Sequence, residues 1–401
     1  MARGNVLIVG AGIGGLTAAL YLHQLGFAVK VYEQTERLTS DGAGIQLSPN
    51  ATRVLHEIGL AGPLDSIASE PGVIELRHWR TGERVTTTRL SPAKETHHST
   101  FPYYHVHRRD LIACLTQAAA NSSIPVYRGK RIDDVGVNRT HAWISGPTTQ
   151  EQASLIVGAD GIHSRVRHCL FGPNAPSFSG HVAWRGVISA ATIDSTTLST
   201  KAALWWGPKK HVVHYPVRRG QHINIVCVER SAQWNNESWT ERGDQTKLIA
   251  AFGDWHGDVT QLIEKIDPNA CYRWGLFNHS PLKQWSQGRA TLLGDACHPT
   301  LPYLAQGAAM AIEDGAVLAQ CVSKSSSVEG GLATYEKIRQ KRTARIQRLS
   351  RRNGYIFHLI GPAAWARDRL VSHAGERLLH RIHHTTFSRH SVNISRNSSC
   401  R

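Results

Sequence analysis

Asn5-Val6-Leu7-Ile8-Val9-Gly10-Ala11-Gly12-Ile13-Gly14-Gly15 decides the fold. Val6 to Val9 is apolar without alternation, as a strand buried on both faces requires. Gly10, Gly12 and Gly15 then follow as Gly-x-Gly-x-x-Gly. The first permits a tight turn, the second lets a pyrophosphate approach the backbone, and the third lets helix and strand pack closely. A helix is predicted from about Ile13 to Leu25, stopped by Gly26, with a second strand over residues 28 to 33. The helix N-terminus offers unpaired N–H groups and a positive dipole end to phosphates. Glu33 closes the second strand, where a carboxylate accepts hydrogen bonds from ribose hydroxyls. The unit reads as a dinucleotide-binding βαβ, against the plainer reading of an ordinary glycine turn.

The chain around it has 401 residues, enough for at least two lobes. Its 41% apolar and 19% charged content excludes a disordered chain. The longest apolar stretch, Val6 to Leu22, is interrupted by glycines and begins as a strand, so it is a poor membrane span, and no signal cleavage site follows it. Seven cysteines at irregular spacing predict free thiols and a reducing, cytoplasmic compartment. No Cys-x-x-Cys pair exists and His105/His107 lack a third ligand nearby in sequence, so no metal site is expected. The net charge is +16, but residues 321 to 401 hold sixteen Lys and Arg against four Asp and Glu. The main body is nearly balanced, and nucleic acid is not an expected partner.

Further apolar strands are predicted at residues 155 to 157 and 290 to 293, with a helix from about Ala305 to Gln320. Residues 182 to 190, 202 to 206, 211 to 217 and 222 to 229 read as successive strands of an inserted β-rich lobe, and 244 to 265 as helical. Asp295 follows a strand and precedes a turn, at the edge where open α/β sheets bind ligands. Gly307 and the alanines after it would let a flat ring approach the backbone.

Four segments in order carry a family likeness: the glycine fingerprint, His107-Arg108-Arg109-Asp110-Leu111, Gly158-Ala159-Asp160-Gly161 with its continuation to Arg167, and Gly294-Asp295-Ala296-Cys297-His298-Pro299 running on to Asp314. Over roughly residues 5 to 320 the chain resembles the single-component FAD-dependent aromatic hydroxylases, the group of salicylate and hydroxybenzoate hydroxylases. The resemblance implies an α/β fold. An FAD-binding Rossmann-like domain would be built from residues 1–75, 100–180 and 280–322. A β-sheet substrate domain would come from 76–99 and 181–279, followed by a C-terminal helix within 331–360 and a disordered tail over 381–401. It implies non-covalent FAD held by Gly10, Gly12, Gly15, Glu33, Gly44, Arg108, Asp160, Asp295 and Ala308. NADH or NADPH would be a visiting co-substrate, consistent with the single nucleotide fingerprint. The reaction would hydroxylate a phenolic or aromatic-acid substrate with O2 through a flavin C4a-hydroperoxide. A homodimer is compatible with the pattern, although the last 40 to 50 residues depart from the family.

His181–Gly186 and His211–Pro216 resemble family segments that face the flavin. Residues two apart share a strand face, so His211, Val213 and Tyr215 would line one side and Val212 and His214 the other. His211 suits removal of a phenol proton, Tyr215 suits holding or relaying it, and Arg185 suits a substrate carboxylate or phenolate. Each has a structural alternative: a half-buried histidine, strand packing, an inter-lobe ion pair. Likewise Arg108 has Asp110 as an alternative partner, Asp160 its own loop, and Asp295 a helix cap. Two other functions stay open at this point: a flavoprotein dehydrogenase or oxidase without hydroxylation, and a polyanion-binding protein acting through its basic C-terminal region.

Overall fold

The computed structural model describes residues 4–37, 43–90, 101–193, 201–234 and 241–387, with side chains to 375. Asn5–Val9 lies at the centre of a six-stranded sheet. Leu155–Gly158, Ala290–Leu292 and Ser286–Gln287 continue it on one side, Ala28–Tyr32 and Val126–Tyr127 on the other. All neighbours are parallel except the last pair at the Ser286 edge. Val6, Leu7, Ile8 and Val9 are all buried, in one core with Leu16, Ala19 and Leu115 of the helices and with Val135, Ile144 and Ala153 of a smaller sheet, which explains their unbroken apolar run.

The helix Ile13–Gln24 is buried along most of its length. The helix Gly307–Lys324 packs on it closely enough that a Cβ on Gly315 would meet the Ala18 nitrogen at 2.8 Å. Small residues at this crossing bring the N-terminal ends of both helices toward one space. A three-stranded antiparallel sheet of Asp134–Val137, Ala142–Gly146 and Thr149–Ala153 flanks this lobe; the sequence reading did not include it.

The second lobe is a seven-stranded sheet in the order Tyr272–Asn278, Ser177–Ser189, His222–Arg230, Lys210–Val217, Ala202–Gly207, Val73–His78, Arg84–Arg89. The sheet begins at Val73 and Ser177, a few residues before the boundaries expected at 76 and 181. The helical stretch 244 to 265 is two helices, Gln245–Phe252 and Gly257–Glu264, packed on one face of the sheet through Leu248, Phe252, Val259, Leu262 and Ile263. Arg218 holds Asp110 through paired bonds of 2.8 and 3.0 Å and clasps the two lobes together.

The C-terminal part corrects the sequence reading. The helix expected within 331–360 runs over Val328–Phe357, starting three residues earlier. A further helix, Gly361–Phe387, runs through residues expected to begin a disordered tail at 381. Charged residues mask its apolar spacing: Leu370, Val371, Leu378, Leu379 and Ile382 recur at helical intervals among Arg and His. Residues 388–401 of that expected tail lie outside the described residues.

Candidate active site

The glycine turn shows which positions need glycine and for what. Gly10 has φ +106, and a Cβ there would sit 2.4 Å from the Ala159 carbonyl oxygen. A Cβ on Gly15 would fall 2.0 Å from the Gly10 oxygen. Gly12 differs: its φ of −76 is ordinary and no atom of the described residues beyond its chain neighbours lies within 4 Å of its Cβ position. Gly10 and Gly15 therefore build the turn, and Gly12 faces open space at the helix N-terminus.

Glu33 accepts from the Ala11 nitrogen at 2.8 Å and from the Thr35 nitrogen at 2.9 Å, so its carboxylate is fixed beside that turn. Asp295 sits in the short turn Gly294–Ala296, and its carboxylate accepts no hydrogen bond among the described residues, so it caps no helix. It is reachable from solvent yet enclosed by protein. That desolvation holds its carboxyl above the usual range, against the pull of His298 and Arg108. Arg108 begins the helix Arg108–Asn121 and is exposed. Its alternative partner Asp110 is taken by Arg218 instead.

Asp160 accepts from Ser164 Oγ at 2.6 Å and the Val166 nitrogen at 3.0 Å. Both oxygens are engaged in its own loop, beside the backbone that Gly10 touches. Arg167 ties this loop to the Asp295 turn, donating to the Ala296 and Ile162 carbonyls at 2.8 and 2.6 Å. Ala308 lies half-buried in the first turn of Gly307–Lys324. Gly44 donates its N–H to Asn224 Oδ1 at 2.7 Å, and a Cβ there would meet Tyr215 and Asn224 at 2.7 Å. Gly44 thus lets the two lobes touch.

These groups fit FAD. Backbone N–H groups at a helix start and a guanidinium with no ion pair among the described residues suit a pyrophosphate. Two carboxylates, Glu33 held by the turn and Asp295 free of described hydrogen bonds, suit sugar and polyol hydroxyls. The open side of Gly12 leaves room for a ligand where the rest of the turn is closed.

The substrate side follows from strand register. His211, Val213 and Tyr215 stand opposite Val228, Val226 and Asn224 on the next strand, and those opposite Ala183, Arg185 and Val187. On the other side His211 and Val213 pair with Trp206 and Leu204, and Ala202 lies two residues before Leu204 on the same strand face. Opposed residues share a face, so three rows emerge. The middle row, Leu204, Val213 and Val226, is half-buried, whereas His211, Trp206 and Val228 on one side and Tyr215, Asn224 and Ala202 on the other are buried. The result is an apolar floor with polar groups at both ends. Arg185 belongs to the middle row. It stacks on the Trp274 and Tyr272 rings at 4.8 and 5.5 Å and lies near enough to Tyr215 to lower that hydroxyl's pKa. Burial dominates at Tyr215, whose hydroxyl stays well above its ordinary value. The Tyr215 ring lies 4.4 Å from the buried ring of His105. Val212 lies on the reverse face with the core that includes Trp205, and the buried His214 ring is 6.2 Å from Trp205, as the alternation expected.

Tyr303 closes the floor at the His211 end, with ring centroids 5.5 Å apart. Its loop is held from behind by the helix Val328–Phe357. Gln347, Ser350 and Asn353 donate to the carbonyls of Pro299, Leu301 and Tyr303 at 2.9, 2.6 and 3.2 Å. Donors three residues apart on a helix meet every second carbonyl of the loop. His211 Nδ1 is 2.8 Å from His358 Nε2, and His358 Nδ1 is 3.0 Å from His181 Nε2. Burial, then the neighbouring histidines, hold His211 well below the usual imidazole range.

The sequence reading quoted Arg167 only as the end of a motif, and it missed His358, Asn224 and the Gln347–Ser350–Asn353 row. Only Asn224 had a local signal, a lone polar residue between Ile223 and Ile225.

A model of an FAD binding domain matches residues 3–350. The chain is 38% identical to 3-amino-4-hydroxybenzoate 2-monooxygenase of Streptomyces platensis over 94% of each chain. It is 36% identical to 6-hydroxynicotinate 3-monooxygenase of Pseudomonas fluorescens, over 88% of this chain and 91% of that one. Among solved structures, a Klebsiella pneumoniae protein complexed with FAD and uric acid superposes with a TM-score of 0.86 at 26% identity, covering 96% of both chains.

Proposed function

The chain belongs to the FAD-binding-domain family of flavoprotein aromatic monooxygenases, and from that premise we propose that it hydroxylates a single aromatic ring bearing a hydroxyl para to a carboxylate. The observation that carries this reading is the half-buried floor of Leu204, Val213 and Val226 with His211 at one end, Tyr215 and Asn224 at the other, and Arg185 in the same row. Both relatives named above act on a six-membered ring with that pair of substituents, by their names.

Gly12, Glu33, Arg108 and Asp295 would hold FAD, with Gly10 and Gly15 shaping the turn and Ala308 leaving room for its ring. Gly44 and Asp160 act on the same site indirectly, through lobe contact and loop shape. Bound FAD supplies the activation of O2 with electrons from NAD(P)H. The chain's own residues supply the rest. The apolar floor orients the ring and excludes water, which protects a water-sensitive oxygenating step. Arg185 attracts the carboxylate. His211 takes the proton of the ring hydroxyl, making the ring electron-rich, and Tyr215 holds that oxygen or its neighbour.

The six described cysteines are free, which supports placement in the cytoplasm. Exposed Trp365 and Leu370 on the last helix support a homodimer. The test is a screen of 3-amino-4-hydroxybenzoate, 6-hydroxynicotinate and hydroxybenzoates for stimulated NAD(P)H oxidation. Stimulation that disappears without the ring hydroxyl supports the reading; equal stimulation by benzoate or by no aromatic acid contradicts it.

A further inference from the structure

The outer face of the helix Val328–Phe357 is a stripe of cations. From Lys337 to Arg352 its exposed positions are Lys337, Lys341, Arg345, Arg348 and Arg352, every one a Lys or Arg. Steps of four, four, three and four residues keep them within about 80° of one another around the helix, along about 22 Å of its length. None makes an ion pair among the described residues, whereas Arg339 and Arg342 on the buried face meet the carboxylates of Glu313 and Asp314. No Asp or Glu occurs between Glu336 and Asp368. The two acids near the start of the stripe are engaged elsewhere, Glu329 by Arg289 at 3.1 Å and Glu336 by the Ser286 nitrogen at 3.1 Å.

The stripe ends on apolar side chains that the described residues leave uncovered. Tyr355, three residues past Arg352 on the same face, is 73% exposed, and Ile360 in the following bend is 51% exposed. Among the described residues the only other large apolar side chains more than half exposed are Trp365 and Leu370, on the next helix. The chain itself has nothing to neutralise the stripe. Each segment outside the described residues holds at most one Asp or Glu, and residues 388–401 hold three Arg and no acid. A two-fold contact between copies through this face would set stripe against stripe. The cover must be anionic, extended, and apolar beside its charge. A lipid leaflet is all three. A small anion would reach one or two of the cations, and a nucleic acid backbone offers Ile360 nothing apolar to enter.

We propose that this face docks the enzyme on an anionic membrane surface, with the stripe against lipid phosphates and Tyr355 and Ile360 inserted at the headgroup boundary. A cluster of four to eight Lys and Arg on a helix is the pattern that anionic leaflets attract, each cation adding roughly fivefold to binding. Apolar side chains beside the charge add depth, and the long Lys and Arg stems lie along the apolar boundary while their heads stay at the phosphates. The buried side of the same helix is tied to the body through Arg339, Arg342, Gln347, Ser350 and Asn353, so the stripe is presented preformed. The docking is independent of which aromatic acid the pocket takes.

The test is cosedimentation of the FAD-loaded full chain with vesicles of phosphatidylcholine alone, or of equal parts phosphatidylcholine and phosphatidylserine. Binding should require phosphatidylserine and weaken as salt rises. Arg345→Gln, Arg348→Gln and Arg352→Gln combined should lower it about a hundredfold, with flavin content, melting temperature and NAD(P)H oxidation as in the wild type. Tyr355→Ser with Ile360→Ser should bind several-fold less and keep the salt dependence. No sedimentation of the wild type with the anionic vesicles at low salt, or equal sedimentation of the triple variant, would overturn the docking. Should the triple variant misfold, wild-type binding that ignores salt does so. Unchanged binding of the Tyr355→Ser, Ile360→Ser variant, or tighter binding to a DNA duplex than to the vesicles at the same salt, would make the face a general polyanion surface and overturn it too. Loss of a dimer in that same double variant, seen by sedimentation velocity, would assign the apolar end to a second copy instead.

Discussion

Asp295, Arg108 and Gly12 carry most of the proposed cofactor binding, because none of them is engaged by another described side chain. Arg108→Ala and Asp295→Ala should each weaken FAD binding by about ten- to a hundredfold, the worth of a charge-assisted hydrogen bond, with apo-protein melting unchanged. Flavin fluorescence titration beside thermal melts checks both. The glycines separate further. Gly12→Ala has room for its methyl group and an ordinary φ, so it should fold normally and bind FAD less well. Gly15→Ala must push the Gly10 carbonyl from 2.0 Å and should lower the melting temperature with or without FAD. At this scale the sequence was informative wherever chemistry is local. Spacing identified all three fingerprint glycines, and strand alternation put His211 and Tyr215 on one face. It could not say that Arg218, more than a hundred residues away, would take Asp110 and leave Arg108 exposed.

The helix Val328–Phe357 is the element whose role the sequence concealed. A run of arginines this dense is usually a solvated face, yet Arg339 and Arg342 are buried. Arg339 pairs with Asp314 and Glu313 at 2.6 Å, and Arg342 with Glu313 at 2.7 Å. Burial alone would raise the Glu313 carboxyl, but Arg339 and Arg342 reverse this and hold it at about 2. A carboxyl lowered in the folded state stabilises the protein fully above its unfolded pKa near 4.5, and that contribution is lost as pH falls toward 2. Arg339→Ala leaves two buried carboxylates short of a partner and should destabilise by about 3–5 kcal/mol at pH 7. The deficit should shrink in melts repeated between pH 5 and 3, as protonation removes the unpaired charge. Composition cannot distinguish these arginines from solvated ones, because their partners lie on the helix Gly307–Lys324. The stitching of Gln347, Ser350 and Asn353 to the loop of Tyr303 was hidden for the same reason.

Across the whole molecule, two lobes read from separate signals converge on one space. The parallel sheet brings Gly12, Glu33 and Asp295 to its carboxyl edge. The seven-stranded sheet offers its floor, and the C-terminal helices cover the His211 end through Phe357, His358 and Val371. The lobes and their order were legible because fingerprint, turns and strand lengths are local. The covering helices were not, since their apolar residues are sparse and their contacts span the chain. The arrangement is that of an enzyme that keeps its oxygenating step from water, so the origin of the product's new oxygen tests it most directly. Turnover of a stimulating hydroxylated aromatic acid under ¹⁸O2 should put one labelled oxygen on the ring carbon, with NAD(P)H consumed in step. A product whose new oxygen comes from water, or NAD(P)H oxidation that yields only hydrogen peroxide with every aromatic acid tried, would contradict the account.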